Sequence, residues 1–120
     1  MTQSEELSRS SWHETLESLS KEHETDDVTI EVLALEFGDQ KEAEKLPFAY
    51  IEYDQHDDEV NVAVGGRDSR YAVVLRHGIE HPRSITLAPL TEDGTTTLSV
   101  IGGDGAETLV TFYPLPALTP

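Results

Sequence analysis

The sequence predicts an α+β domain: one N-terminal amphipathic helix packed on an antiparallel sheet of about six to seven strands, arranged as a meander, a sandwich or a partly closed barrel. Three observations carry this reading. A capping signature opens a single helical stripe over residues 11–23. From residue 28 onward, apolar residues recur with a period of two. The alternating segments are separated by short Gly-, Pro- and Asp-containing stretches with no helical pattern between them, whereas a parallel sheet needs helical crossovers.

Residues 1–10 are polar and read as a flexible tail, residues 11–113 as the single α+β domain, and residues 114–120 as a second tail. The helix opens at Ser11-Trp12-His13-Glu14, which fits a capping box with Ser11 as N-cap and Glu14 three positions on. Trp12, Leu16, Leu19 and His23 form its narrow apolar stripe, with Trp12 as the anchor. Val28, Ile30 and Val32 alternate with Thr29 and Glu31 and begin the first strand, which Leu33 to Phe37 prolongs. Gly38 to Lys45 reads as a charged connection. Leu46 to Tyr53 is the next strand, with Pro47 pointing to an edge or a strand start.

Asp54 to Asp58 reads as a hairpin turn into the alternating Val60, Val62 and Val64. Gly65-Gly66-Arg67-Asp68 is a second turn, and Tyr71 to Leu75 a short strand broken afterwards by Gly78 and Pro82. Ile85 to Leu90 and Thr95 to Ile101 flank the turn Glu92-Asp93-Gly94. Gly102 to Gly105 is a loop, and Thr108 to Tyr113 is the last strand, stopped by Pro114 and Pro116.

Charge narrows the function classes. The chain carries 24 Asp+Glu against 8 Lys+Arg, a formal net charge of −16. Residues 1–60 hold 18 acids and 4 bases, and residues 61–120 hold 6 and 4. Such a surface repels the phosphates of nucleic acids and anionic lipid, so neither is an expected partner. It also repels itself, and molar salt shortens the screening length to ~3 Å. High acid, three lysines and twelve threonines together suggest a salt-rich, halophilic cytoplasm. There is no cysteine, which excludes thiol chemistry and disulfides and suits a cytoplasmic protein. No apolar stretch approaches the ~20 residues of a spanning helix, and none resembles a signal peptide.

The motifs are few. His77-Gly78-Ile79-Glu80-His81 matches H-x-x-E-H, the inverted zincin pattern, which needs a helix so that both rings reach one zinc. Gly78 and Pro82 argue for extended chain instead, where positions four apart stand ~13 Å apart and cannot share an ion bound at ~2 Å. His56-Asp57-Asp58-Glu59 groups metal-type ligands in a turn without EF-hand spacing. Gly102-Gly103-Asp104-Gly105 is a single fragment of a calcium β-roll repeat, and one copy builds no site. Neither a phosphate-binding Gly loop nor a nucleophile elbow occurs. Hence no catalytic residue, metal or cofactor is expected.

One contrast does stand out. Arg67, Arg70, Arg76 and Arg83 fall within seventeen residues, alongside His77 and His81. Arginine suits carboxylate and phosphate, and histidine can move protons near neutral pH. Arg76, His77, Glu80, His81 and Arg83 are therefore the candidate binding residues. Tyr50, Tyr53 and Tyr71 could stack bases, but packing is the expected use.

The run Gly78-Ile79-Glu80-His81-Pro82-Arg83-Ser84-Ile85, with Leu98-Ser99-Val100, Asp104-Gly105, the helix opened by Trp12 before Val28-Thr29-Ile30-Glu31-Val32-Leu33, and Glu42-Ala43-Glu44-Lys45-Leu46-Pro47-Phe48, resembles a family of small bacterial and archaeal proteins numbered 5335 among the domains of unknown function. The resemblance covers residues 10–113, and I-E-H-P-R-x-I is its most specific piece. It implies no activity, but favours a structural or binding role for Glu80, His81 and Arg83. The expectation is a small acidic protein that is a non-enzymatic protein-binding or accessory module, acting on a protein partner or as a homo-oligomer. The alternative is a small-anion binder or enzyme built on the Arg/His cluster at 76–83.

Overall fold

The structure is a computed structural model that describes residues 5–34, 38–65, 73–88 and 94–113. Its strands are β1 (Glu5–Glu6), β2 (Asp27–Ala34), β3 (Gly38–Asp54), β4 (Glu59–Gly65), β5 (Val73–Glu80), β6 (Ser84–Ala88), β7 (Thr96–Ile101) and β8 (Glu107–Tyr113), with helix α1 at Trp12–Glu22. All eight belong to one sheet in the order β1-β6-β7-β8-β2-β3-β4-β5. Every neighbouring pair is antiparallel. The sheet does not close into a barrel: β1 and β5 are its two ends.

Strand β3 folds this sheet over. Up to Pro47 it pairs with β2, and from Phe48 it pairs with β4. Lys45, with φ of 48°, and a register shift between Phe48 and Tyr50 mark the turn-over. A bulge adds one residue to the strand and flips the alternation, so the buried set runs Phe48, then Ile51 and Tyr53. Val28, Ile30, Ile85, Leu98, Val100, Val110 and Phe112 on one half then face Phe48, Ile51, Val60, Val62, Val64 and Ile79 on the other, in one core cluster. The expected charged connection at Gly38 to Lys45 is thus the first half of a 17-residue strand. Its charged residues Lys41 and Glu44 lie on the exposed face while Ala43 is buried, so polarity alone hid the strand.

Helix α1 buries Trp12, Leu16 and Leu19, as its stripe requires. Each leucine contributes roughly 1.5–3 kcal/mol by leaving water. The helix lies along the part of β3 that β2 has left. There Ser20 Oγ donates to Ile51 O (2.6 Å) and accepts from Ile51 N (2.9 Å), satisfying backbone that no strand covers. His23, just past the helix, stacks on Phe112 (4.3 Å) and reaches Asp26 (2.6 Å).

Other differences from expectation are local. Ser11 does not close a capping box: a 3-10 turn, Arg9–Ser11, leads into the helix, so Ser11 is itself helical and its hydroxyl donates to Ser8 O (2.8 Å). Within the expected tail, Glu5 and Glu6 form β1 against Leu87 and Thr86. Strand β5 runs on through His77 and Gly78 to Glu80, because Gly78 sits opposite Asn61 in the ladder. The Gly66–Asp68 turn, Tyr71, Arg67, Arg70, most of the Glu92–Gly94 turn and the 114–120 tail lie outside the described residues. Among the described residues, no helix is long and apolar enough to cross a membrane.

Candidate functional site

The corner between β5 and β6 holds His81, Pro82 and Arg83, and four segments meet there. His81 is left-handed (φ 49°), and its N–H donates to Asp58 O (2.8 Å). Asp58, at the end of the β3–β4 hairpin turn, is left-handed too (φ 51°), a region aspartate tolerates well. Gly103 N donates to Glu80 O (3.0 Å), and Arg83 N donates to Ile101 O (2.7 Å), tying the corner to the β7–β8 loop. Arg83 Nη2 donates to Gly103 O (2.7 Å), and Arg9 Nη2 donates to Pro82 O (2.9 Å). Pro82 is buried.

Asp58 is the polar centre of this corner. Its carboxylate accepts from the Tyr53 hydroxyl (2.7 Å), His81 Nδ1 (3.3 Å) and Arg9 Nη1 (3.4 Å). The Tyr53 hydrogen bond, then the one from His81, hold the Asp58 carboxyl below its ordinary value. The same bond to Asp58, helped by burial, pushes the Tyr53 hydroxyl above its own. Arg9 also lies over the Trp12 ring (4.3 Å), so the N-terminal segment is held to the corner.

The candidate binding residues do not converge on one point. His77 faces the interior with Ile79, and its Nε2 lies 3.4 Å from Thr108 Oγ1. Arg76 and Glu80 alternate with them and are exposed on the other face. His81 turns to Asp58, and Arg83 to a backbone carbonyl. The chain is extended through His77 and Glu80, and the two imidazoles have separate partners. Among the described residues no group of three or more His, Asp or Glu is placed to hold a metal.

What the corner does frame is a cleft of about 440 Å³ between β5 and the β7–β8 loop with β8. Val32, Ile79, Ala106 and Thr108 supply its smaller walls, and Glu59, Glu80 and Asp104 its carboxylates. His77 and His81 line it, whereas Arg76 and Arg83 do not. Its size falls within the ~300–1,000 Å³ of ordinary ligand sites.

The cleft runs beside a strand edge. His81 N bonds to Asp58 O, so the antiparallel pairing phase sends the backbone groups of Ile79, His77 and Leu75 towards β4. Those of Glu80, Gly78 and Arg76 point away from it, as the Glu80 O to Gly103 N bond confirms for Glu80. Sequence reasoning missed Glu59, Asp104, Thr108 and Val32 as neighbours, because only the folding-over of the sheet brings them together. Gly78 was the one available signal, since a glycine inside a strand often marks a close approach.

The model of a family of unknown function, DUF5335, matches residues 3–120. The chain belongs to that family. It is also similar to an uncharacterized protein of Aquifex aeolicus (strain VF5), 28% identical over 109 residues, which span 90% of each chain. No solved structure matches. The I-E-H-P-R segment that carried the family resemblance forms the stitched corner, from Ile79 to Arg83.

Proposed function

We propose that this protein is a non-enzymatic protein-binding module that takes an extended segment of a partner onto the free edge of β5. The observation that carries the reading is the pairing phase of β5. Among the described residues it is the last strand of the sheet, and the N–H and C=O groups of Arg76 and Gly78 point away from its partner β4, towards the side where the cleft opens. An exposed strand edge is a template for another chain, and backbone bonds supply affinity while alternate side chains enter pockets. The cleft offers such a pocket, with an apolar floor at Val32, Ile79 and Ala106. A chain with no cysteine and a strongly acidic surface suits this role in a cytoplasm.

The test is a selection of short displayed peptides of about ten residues, enough to cover a strand of ordinary length. Binders are then mapped by amide chemical shifts. The expected result is a set of peptides that shift Arg76 and Gly78 and lose binding to Arg76→Pro. That change removes one outward N–H and leaves the ladder to β4 intact, because the lost donor faces away from β4. Binders that map only to other faces would remove the reading.

A further inference from the structure

We infer that the segment β5 takes up is basic, presenting a lysine or arginine to a carboxylate pair that the sheet itself holds together. This rests on the strand-addition reading above and goes further, because it assigns the chemistry of the partner. Glu59 and Glu80 are directly opposite each other across the β4–β5 ladder, on one face. By the pairing phase they form a non-hydrogen-bonded pair, the arrangement that brings side chains closest. Like charges so placed repel. Among the described residues neither carboxylate has an ion-pair partner.

Gly78 makes room for one of these carboxylates. A side chain at this position would start 3.1 Å from Glu59 Oε2 and 3.2 Å from Asn61 Oδ1. The Glu59 carboxylate, carried by β4, therefore lies over the face of β5 at Gly78, in the space that a missing side chain leaves. Glu59 and Glu80 both line the cleft, and Asp104 lines it from the β7–β8 loop. Among the described residues no lysine or arginine lines it.

A segment added beside Gly78 would place one alternate side chain over this glycine, between Glu59 and Glu80. An ammonium or guanidinium there pairs with both carboxylates and relieves their repulsion. An acidic side chain would make a third like charge. The protein's net charge of −16 adds long-range attraction for a basic partner, which salt screens, whereas the pairing at Gly78 is local and survives partial screening.

The experiment takes one β5-binding peptide in three forms, with Lys, Ser or Glu at the residue seated over Gly78. Affinities are measured at low salt and at about 0.5 M salt, where the screening length is short. The expected result is at least about tenfold weaker binding for the Ser form, worth ~1.4 kcal/mol, and weaker still for the Glu form, at both salt concentrations. The double change Glu59→Gln with Glu80→Gln should abolish the Lys preference while leaving the shifts at Arg76 and Gly78. Gly78→Ala should weaken the preference too, by displacing the flexible Glu59 carboxylate.

Equal binding of the Lys and Ser forms at β5 would overturn the basic-segment inference and leave strand addition standing. Loss of all three forms from β5 would overturn both. A Lys preference that vanishes at the higher salt and ignores Glu59→Gln with Glu80→Gln would be adsorption to the acidic surface, and would overturn the inference. Spermine binding at the same amides as tightly as the Lys peptide would make this a site for free polycations, and would also overturn it. Both variants are checked by thermal unfolding. The double variant should be at least as stable as the parent, since it removes repulsion, and Gly78→Ala should melt close to it, since the nearest atoms that must move belong to the side chains of Glu59 and Asn61.

Discussion

Gly103→Ala tests whether the β5–β6 corner is held as described. The added methyl would lie 2.9 Å from His81 Cβ, 3.1 Å from His81 O and 3.4 Å from Glu80 O. Two of these three atoms are backbone, so no flexible side chain can yield. Overpacking of this kind costs ~1–3 kcal/mol. Retreat of the loop would also stretch the Gly103 N to Glu80 O and Arg83 Nη2 to Gly103 O bonds, each worth ~0.5–1.5 kcal/mol. Since the two effects trade off, the expected loss is about 1–3 kcal/mol. With an unfolding entropy of ~2.1 cal/mol/K per residue, that is a fall in Tm of roughly 4–12 °C.

Calorimetry on parent and variant measures it, with Gly105→Ala as the comparison. Gly105 has φ of 87° but nothing within 4 Å of its would-be methyl, so only backbone strain of ~1–2 kcal/mol applies there. If Gly103→Ala melts no lower than Gly105→Ala, the close approach of loop and corner does not exist and the reasoning fails.

Four further perturbations test other contacts and the charge. Ser20→Ala strips both hydrogen bonds from Ile51, leaving part-buried strand backbone unsatisfied, and should cost ~1–3 kcal/mol in urea unfolding; a neutral outcome would mean that the helix does not guard this edge. Asp58 titrates low in the folded chain, so its contribution is complete above the unfolded value of about 4 and is lost as pH falls through the lowered one; Asp58→Asn should flatten the acid side of the stability profile. Tyr53 titrates high, so its contribution holds below pH ~10 and is lost as pH climbs through the raised value, and Tyr53→Phe should flatten the alkaline side; unchanged profiles would discount the Tyr53–Asp58 bond. Tm should rise with KCl as the screening length shortens from ~10 Å at 0.1 M to ~3 Å at 1 M; a flat response would show that a charge of −16 is not felt as repulsion.

Much of the fold was legible because the signals were local. Trp12, Leu16 and Leu19 marked the buried helix stripe, and Val60, Val62 and Val64 marked a strand by alternation alone. Extended chain at His77 followed from Gly78 and Pro82, and it separated the two histidines as expected. What failed was non-local. The capping box was misread because the preceding 3-10 turn, held by Trp12 Nε1 to Leu7 O (3.3 Å) and by Arg9 over Trp12, sets the backbone of Ser11. The first half of β3 was hidden because its exposed face is charged while its buried face shows little more than Ala43.

For the candidate site, the sequence pointed to a segment of which His77, Glu80 and His81 line the cleft, and the chemistry shifted once the sheet folded. Arg83 looked like an anion ligand, yet it donates to Gly103 O. Glu59 looked like part of a polar turn, yet its carboxylate lies over Gly78 of β5. No spacing rule connects Glu59 with Glu80, because the ladder register brings them together.

Amide hydrogen exchange along β5 tests the central claim most directly. Leu75, His77 and Ile79 should be protected by β4, and Arg76 and Gly78 should exchange fast until a bound peptide slows them. Slow exchange at Arg76 and Gly78 in the isolated protein, equal to that of their inward-pointing neighbours, would contradict it.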